Sequence, residues 1–213
     1  RGGGPFDGGL DLIVNQGFAN GLYTMPNDTV IGGMEELKAQ LLRQSDLIRI
    51  GLAGNLAGYT FTNSSGERVR GDAVDYNGAP AGYTEDPQEN IVYVSKHDNQ
   101  TLWDINAYKR PRDLPMAQRV RAQLLGLSFP MFAQGVPFFH AGSELLRSKS
   151  LDRNSYNSGD WFNRLDWSYQ DTNWGVGLPM ASENRDNWQF MRPLLADEAL
   201  KPAPEDIERA LEG

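Results

Sequence analysis

Between residues 90 and 140 an apolar strand pattern, an amphipathic helix pattern and a second strand pattern follow one another. That order constrains the fold more than any other feature of the 213-residue chain. Ile91-Val92-Tyr93-Val94 is short, β-branched and aromatic, with Pro87 and Glu89 before it and polar residues after it, the pattern of a strand buried on both faces. Asp113, with Pro115 in the first turn, predicts a helix whose face carries Met116, Val120, Leu124 and Leu127 and which Pro130 stops. Gly135 then leads into Val136-Pro137-Phe138-Phe139-His140, a second strand. Strand, helix and strand in this order predict an α/β class, with a βαβ unit in a parallel sheet or barrel.

The rest of the chain is loop-rich: 23 glycines and 12 prolines make up about a sixth of it, against roughly 12% in ordinary proteins. Residues 1–27 read as an extended loop. Asp28 or Thr29 is placed to cap a helix beginning near Gly33, because Met34, Leu37, Leu41, Ile48 and Leu52 recur at helical spacing before Gly51, Gly54 and Gly58 loosen the pattern. Residues 59–88 are irregular. Beyond His140 a polar and aromatic loop runs to about Met191, and Glu205 to Leu211 predict a last helix. Ala122 to Ser143 is uncharged and long enough to span a bilayer, yet it contains Gln123, Pro130, Gln134 and Pro137 and reads as soluble core.

Composition removes several function classes. Without cysteine there is no disulfide framework, thiolate nucleophile or Cys-ligated metal, and two histidines argue against a multi-His metal site. A net charge of -8 disfavours nucleic acid and anionic membrane as partners. Phosphate-loop, dinucleotide-binding, zinc-protease and nucleophile-elbow motifs are absent from the sequence. No targeting signal is visible and the compartment is open.

A dense polar run, Ser95 to Thr101, starts where the first strand stops, the place where parallel α/β folds carry ligands. His97 and Asp98 are its candidates: Asp98 to accept hydroxyl hydrogen bonds or face a developing cation, His97 to bond a neighbouring hydroxyl. The structural alternative has Asp98 capping the next helix and His97 bonding a carbonyl. Beyond Phe139, Glu144, Arg147, Arg153, Tyr156, Asp160 and Trp161 crowd one loop, and such forks and flat rings suit a polyhydroxylated ligand. Glu144 reads more readily as a buried structural acceptor, and Trp167, Trp174 and Trp188 as fillers of a satellite core.

Three stretches carry a resemblance. Tyr93-Val94-Ser95-Lys96-His97-Asp98-Asn99-Gln100-Thr101-Leu102-Trp103-Asp104 resembles the seventh-strand motif of pullulanases and limit dextrinases, α-1,6-cleaving debranching enzymes of the α-amylase superfamily. Gly135 to Glu144 resembles their eighth strand, and Leu145 to Asn163 the loop that sets this subgroup apart from amylases. The likeness runs from Gly2-Gly3-Gly4-Pro5-Phe6-Asp7 to about Pro204.

The resemblance implies that residues 1–213 are the later part of a catalytic (β/α)8 barrel, roughly from after strand 5 through strand 8 and its helix. Earlier strands and a following β-sandwich would lie outside the chain. It implies retaining hydrolysis of α-1,6 branch points in pullulan, amylopectin or limit dextrins. Asp98 would be the transition-state-stabilising carboxylate and His97 a ligand of the same glucose. Asn99 would face the leaving-group side, while Arg153, Asn154 and Tyr156 would line the neighbouring donor subsite. Position 154 is Asn where the family carries Asp, which keeps an acceptor and loses a charge. The nucleophile and the acid/base are expected outside this chain, making the rest of its own polypeptide a required partner and the isolated chain inactive. No cofactor is required; calcium is compatible but no ligands are assigned. The competing readings are a non-catalytic glucan-binding or scaffold module and a relative that makes or moves α-1,6 bonds.

Overall fold

The computed structural model describes residues 8–29 and 32–213, so the Gly2 to Asp7 stretch where the resemblance begins lies outside the described residues. Helices are α1 (Asp11–Val14), α2 (Met34–Leu52), α3 (Leu102–Lys109), α4 (Met116–Phe132), α5 (Ala181–Asn184), α6 (Trp188–Leu195) and α7 (Pro204–Glu212). Strands are β1 (Thr60–Thr62), β2 (Arg68–Arg70), β3 (Asp75–Tyr76), β4 (Ala79–Pro80), β5 (Ile91–Val92) and β6 (Val136–Pro137). The chain divides into two compact units, one made of Arg1–Val30, Ser95–Gly126 and His140–Gly213 and the other of Ile31–Val94 and Leu127–Phe139.

The expected portion of a (β/α)8 barrel is not what these residues form. Among them are three separate two-stranded sheets, β1–β2 and β3–β4 antiparallel and β5–β6 parallel, with no closed barrel. The parallel pair matches the predicted strand order, but each strand has only two residues, and Ile91 and Val136 are exposed. A barrel strand is covered on both faces; this pair is not. The prediction failed because hydrophobic, β-branched residues mark where a strand can form and say nothing of how many neighbours it acquires.

In the second unit, α2 starts at Met34 as its spacing predicts, but Gly33 caps it: the Gly33 amide donates to the Glu36 carboxylate at 3.1 Å. Thr29 instead donates its amide and hydroxyl to the Asn27 side chain. The face of α2 carries Leu47 and Ile50 onto Phe61, Ala81, Tyr59, Val69 and Val74. Burying side chains such as Ile50 and Phe61 contributes about 1.5–3 kcal/mol each. The supposedly irregular 59–88 stretch holds both hairpins. Gly71 and Gly82 allow its backbone segments to touch, since a Cβ on Gly82 would stand 2.7 Å from the Gly71 carbonyl carbon and one on Gly71 would stand 2.6 Å from the Leu56 oxygen.

In the first unit α3 is buried along its whole length and α1 packs against it. Side-chain amides fasten the N-terminal loop to it. Asn27 Nδ2 donates to the Ile13 and Lys109 carbonyls, each at 2.8 Å, and Asn20 Nδ2 donates to Asn106 Oδ1 at 2.7 Å. α4 begins at Met116, one residue after Pro115, whose carbonyl accepts from the Gln118 and Arg119 amides. Pro130 does not stop it: the helix runs on to Phe132, although a proline at this position has no N–H to give to the carbonyl four residues earlier. No described helix is long and apolar enough to cross a membrane.

Candidate functional site

The polar run after β5 is shaped by its neighbours at both ends. Downstream, Thr101 caps α3, its Oγ1 accepting from the Asp104 amide at 3.1 Å, so Asp98 is not the cap. Asn99 takes a left-handed φ of 60°, tolerable for Asn because its short polar side chain suits that region. That turn leaves the two preceding side chains facing solvent: His97 is 82% and Asp98 55% exposed.

His97 Nδ1 lies 3.2 Å from Asp98 Oδ1, and Lys96 Nζ pairs with Asp98 Oδ2. The Lys96 hydrogen bond, with the His97 charge adding to it, holds the Asp98 carboxyl below its usual range against the smaller opposing effect of desolvation. Asp98 is therefore an anion at neutral pH. Its open face is able to accept two hydroxyl hydrogen bonds or to stand beside a positively charged carbon.

Behind this pair sits a buried ionic cluster. Asp104, on the first turn of α3, is fully buried and accepts from Ser148 Oγ at 2.5 Å and from the Lys149 amide at 2.8 Å. Burial pushes its carboxyl up to about 6 despite these donors. Lys149 is also buried, and burial lowers its ammonium, opposed by Asp104, Asp152 and Asp98. Burial thus disfavours the charged form of both groups. Lys149 Nζ donates to the His97 carbonyl at 2.8 Å. The turn carrying Lys149 is strained: Leu146, Ser150 and Leu151 all have positive φ and all are buried, at about 1–3 kcal/mol apiece.

His140 bridges Ser95 and the following loop. Its Nδ1 lies 3.3 Å from Ser95 Oγ and its Nε2 3.1 Å from Arg147 Nη1, and burial followed by the Arg147 charge pushes the imidazole down to about 4. Arg147 also donates to the Ala141 and Asn163 carbonyls.

The predicted substrate loop is built on buried Asp152, which accepts from the Asn154 amide at 2.9 Å, Ser158 Oγ at 2.6 Å and Asn184 Nδ2 at 3.0 Å. Asn184 in turn accepts from the Arg153 amide at 3.2 Å. This inward network turns Asn154 and Tyr156 outward, Tyr156 being 89% exposed. Arg153 is half-buried and lines an open cleft of about 520 Å³ with Gly8, Ser182, Glu183, Arg185 and Asp186. The structure thus brings His97 and Asp98 together, with Asn99 adjoining. Arg153, Asn154 and Tyr156 form a second cluster, with no hydrogen bond to the first among the described residues.

Other expectations divide. Glu144 is exposed and not a buried acceptor. Trp174 is buried as expected, Trp188 is half-buried and donates to the Pro179 carbonyl, and Trp167 is 62% exposed. Lys149, Asp104, Lys96, Asp152 and Asn184 were missed as supports. Thr101 with Asp104 three residues on is a helix-start spacing and was the one signal available for α3. Among the described residues no group of three metal-ligating side chains occurs.

Residues 169–213 match the family described as "Alpha-1,6-glucosidases, pullulanase-type, C-terminal". The chain is 48% identical over 191 residues to a pullulanase of Klebsiella pneumoniae, covering 90% of this chain and 17% of that protein. To pullulanase 1, chloroplastic, of Arabidopsis thaliana it is 45% identical over 211 residues, 99% of this chain and 22% of the relative. The crystal structure of the Klebsiella pneumoniae pullulanase in complex with maltotriose superposes with a TM-score of 0.93 at 44% identity, over 100% of this chain and 22% of that one. The chain spans about a fifth of the length of these relatives.

Proposed function

We propose, from the premise that the chain belongs to the pullulanase family, that it furnishes Asp98 as the transition-state-stabilising carboxylate of an α-1,6-glucan debranching hydrolase. The substrates are the branch linkages of pullulan, amylopectin or limit dextrins. The observation that supports this reading most is the Asp98 carboxylate itself: 55% exposed, held ionised by Lys96 and His97, and mounted on a turn whose backbone is anchored from behind.

Retaining hydrolysis passes through an oxocarbenium-like ring flanked by a nucleophile and an acid/base. Asp98 serves neither role. As an anion it accepts hydroxyl hydrogen bonds of the bound glucose, and those bonds strengthen as the ring gains positive charge. His97 adds a bond to the same sugar, and Asn99 lies toward the leaving-group side. Arg153, Asn154 and Tyr156 hold the neighbouring donor glucose. The nucleophile and acid/base are carboxylates of other parts of the polypeptide, so this stretch alone does not turn over.

Asp98→Asn in the polypeptide that carries this stretch tests the reading. The expected result is a fall of at least about 10²-fold in kcat on pullulan, in line with loss of one electrostatic stabiliser, with melting temperature unchanged. Parental turnover would remove Asp98 from the mechanism.

A further inference from the structure

Neither His97 nor Asp98 gains rigidity from packing, because both side chains are largely exposed. Whatever precision the pair has comes from its backbone. On the C-terminal side that backbone is tied at Thr101, whose Oγ1 accepts from the Asp104 amide. On the His97 side, the Lys149 ammonium donates to the His97 carbonyl at 2.8 Å. Both ties return to one residue, since Asp104 gives its amide to Thr101 and accepts the Lys149 amide and the Ser148 hydroxyl on its carboxylate. Three residues of the turn that presents Lys149 hold left-handed backbone conformations, a strain that persists only where the surroundings over-determine it.

We propose that Lys149 is a positioning residue for the glucan site: its buried ammonium clamps the His97 carbonyl, and so fixes where Asp98 and His97 meet the sugar. The proposal rests on the role given to Asp98 above. Lys149 touches no sugar; it acts through the main chain. A residue that served only to fill the interior would be replaceable by any side chain of equal volume, whereas a clamp requires a donor at the end of the stem. A group displaced by about 1 Å can cost about 10²-fold in rate.

The experiment compares Lys149→Met with Asp98→Asn and the parent, each in the whole polypeptide carrying this stretch, by pullulan kinetics and thermal melting. Met keeps the stem and removes the donor. The expected result is a fall of about 10–100-fold in kcat with KM changed less than about threefold, at temperatures where the variant is fully folded. Parental kcat in folded Lys149→Met, with Asp98→Asn inactive, overturns the clamp and leaves the role of Asp98 intact. Parental kcat in Asp98→Asn overturns the underlying reading, whatever Lys149→Met does. Should Lys149→Met not fold, Lys149→Gln decides: it stays polar but its shorter stem withdraws the donor from the His97 carbonyl, so a reduced kcat with the melting temperature unchanged supports the clamp and an unchanged kcat overturns it.

Discussion

Arg147 Nη1 donates to His140 Nε2 at 3.1 Å. Because a guanidinium can only donate, Nε2 must carry a lone pair. The imidazole is then the neutral Nδ1–H tautomer, donating to Ser95 Oγ. Burial, and after it the Arg147 charge, disfavours the protonated ring, which is why its titration is pushed down to about 4.

This relationship fixes a pH dependence. Between about 4 and the ordinary value of 6.5, unfolded His140 binds a proton that the folded residue refuses, so its contribution to stability is full above 6.5 and is lost as pH falls through that window. Buried Asp104 has the opposite sign: with its carboxyl raised from 3.8 to about 6, the folded state binds the extra proton, and stability is gained on acidification through the same range. Urea midpoints at pH 7, 5.5 and 4.5 should therefore fall more steeply with acid in Asp104→Asn than in the parent, and rise or stay level in His140→Gln. Parallel pH profiles in all three would contradict the assignment.

Thr101→Ala removes the side chain that caps α3 and leaves the Asp104 amide without its acceptor. A lost N-cap costs about 0.5–2 kcal/mol. We expect a loss of that order in denaturant titration, and Thr101→Ser, which keeps the oxygen, should recover most of it.

Gly159 lies directly under the Trp161 ring: a Cβ there would come within 2.2 Å of it. Gly159→Ala must move a ring that is 59% exposed. The expected signature is a changed tryptophan emission with little loss of stability, since an exposed ring has room to yield. An unaltered spectrum would place the ring elsewhere.

Asn154 is exposed, and its amide, not its side chain, is engaged with Asp152. The side chain is free to meet a ligand, and a carboxylate there would make charge-assisted bonds to sugar hydroxyls. On the function proposed above, Asn154→Asp should lower KM for pullulan several-fold with kcat nearly unchanged. A KM that stays put would detach this position from the donor subsite.

Local signals survived the comparison with the structure wherever neighbouring residues sufficed. The apolar spacing of Met34 to Leu52 and the Pro204–Glu212 tail became helices close to their expected bounds. The His97-Asp98 dipeptide, read as two side chains at a strand end, lies beyond the end of β5, with both side chains exposed. The family was legible too, because its motifs are long contiguous strings of specific residues.

What chain-local reasoning could not supply were partners distant in sequence. Ile91–Val92 pairs with Val136–Pro137 as a short, exposed ribbon and not a barrel wall. Asp104 meets Ser148 and Lys149, and Lys149 reaches His97, across gaps of 44, 45 and 52 residues. The sequence alone determined which chemical groups are present and in what local order, since periodicity and caps depend on residues a few positions apart. Only the tertiary structure decided which buried charge stands behind which exposed one. Burial energy and long-range hydrogen bonds belong to pairs of segments, and no single segment encodes its partner.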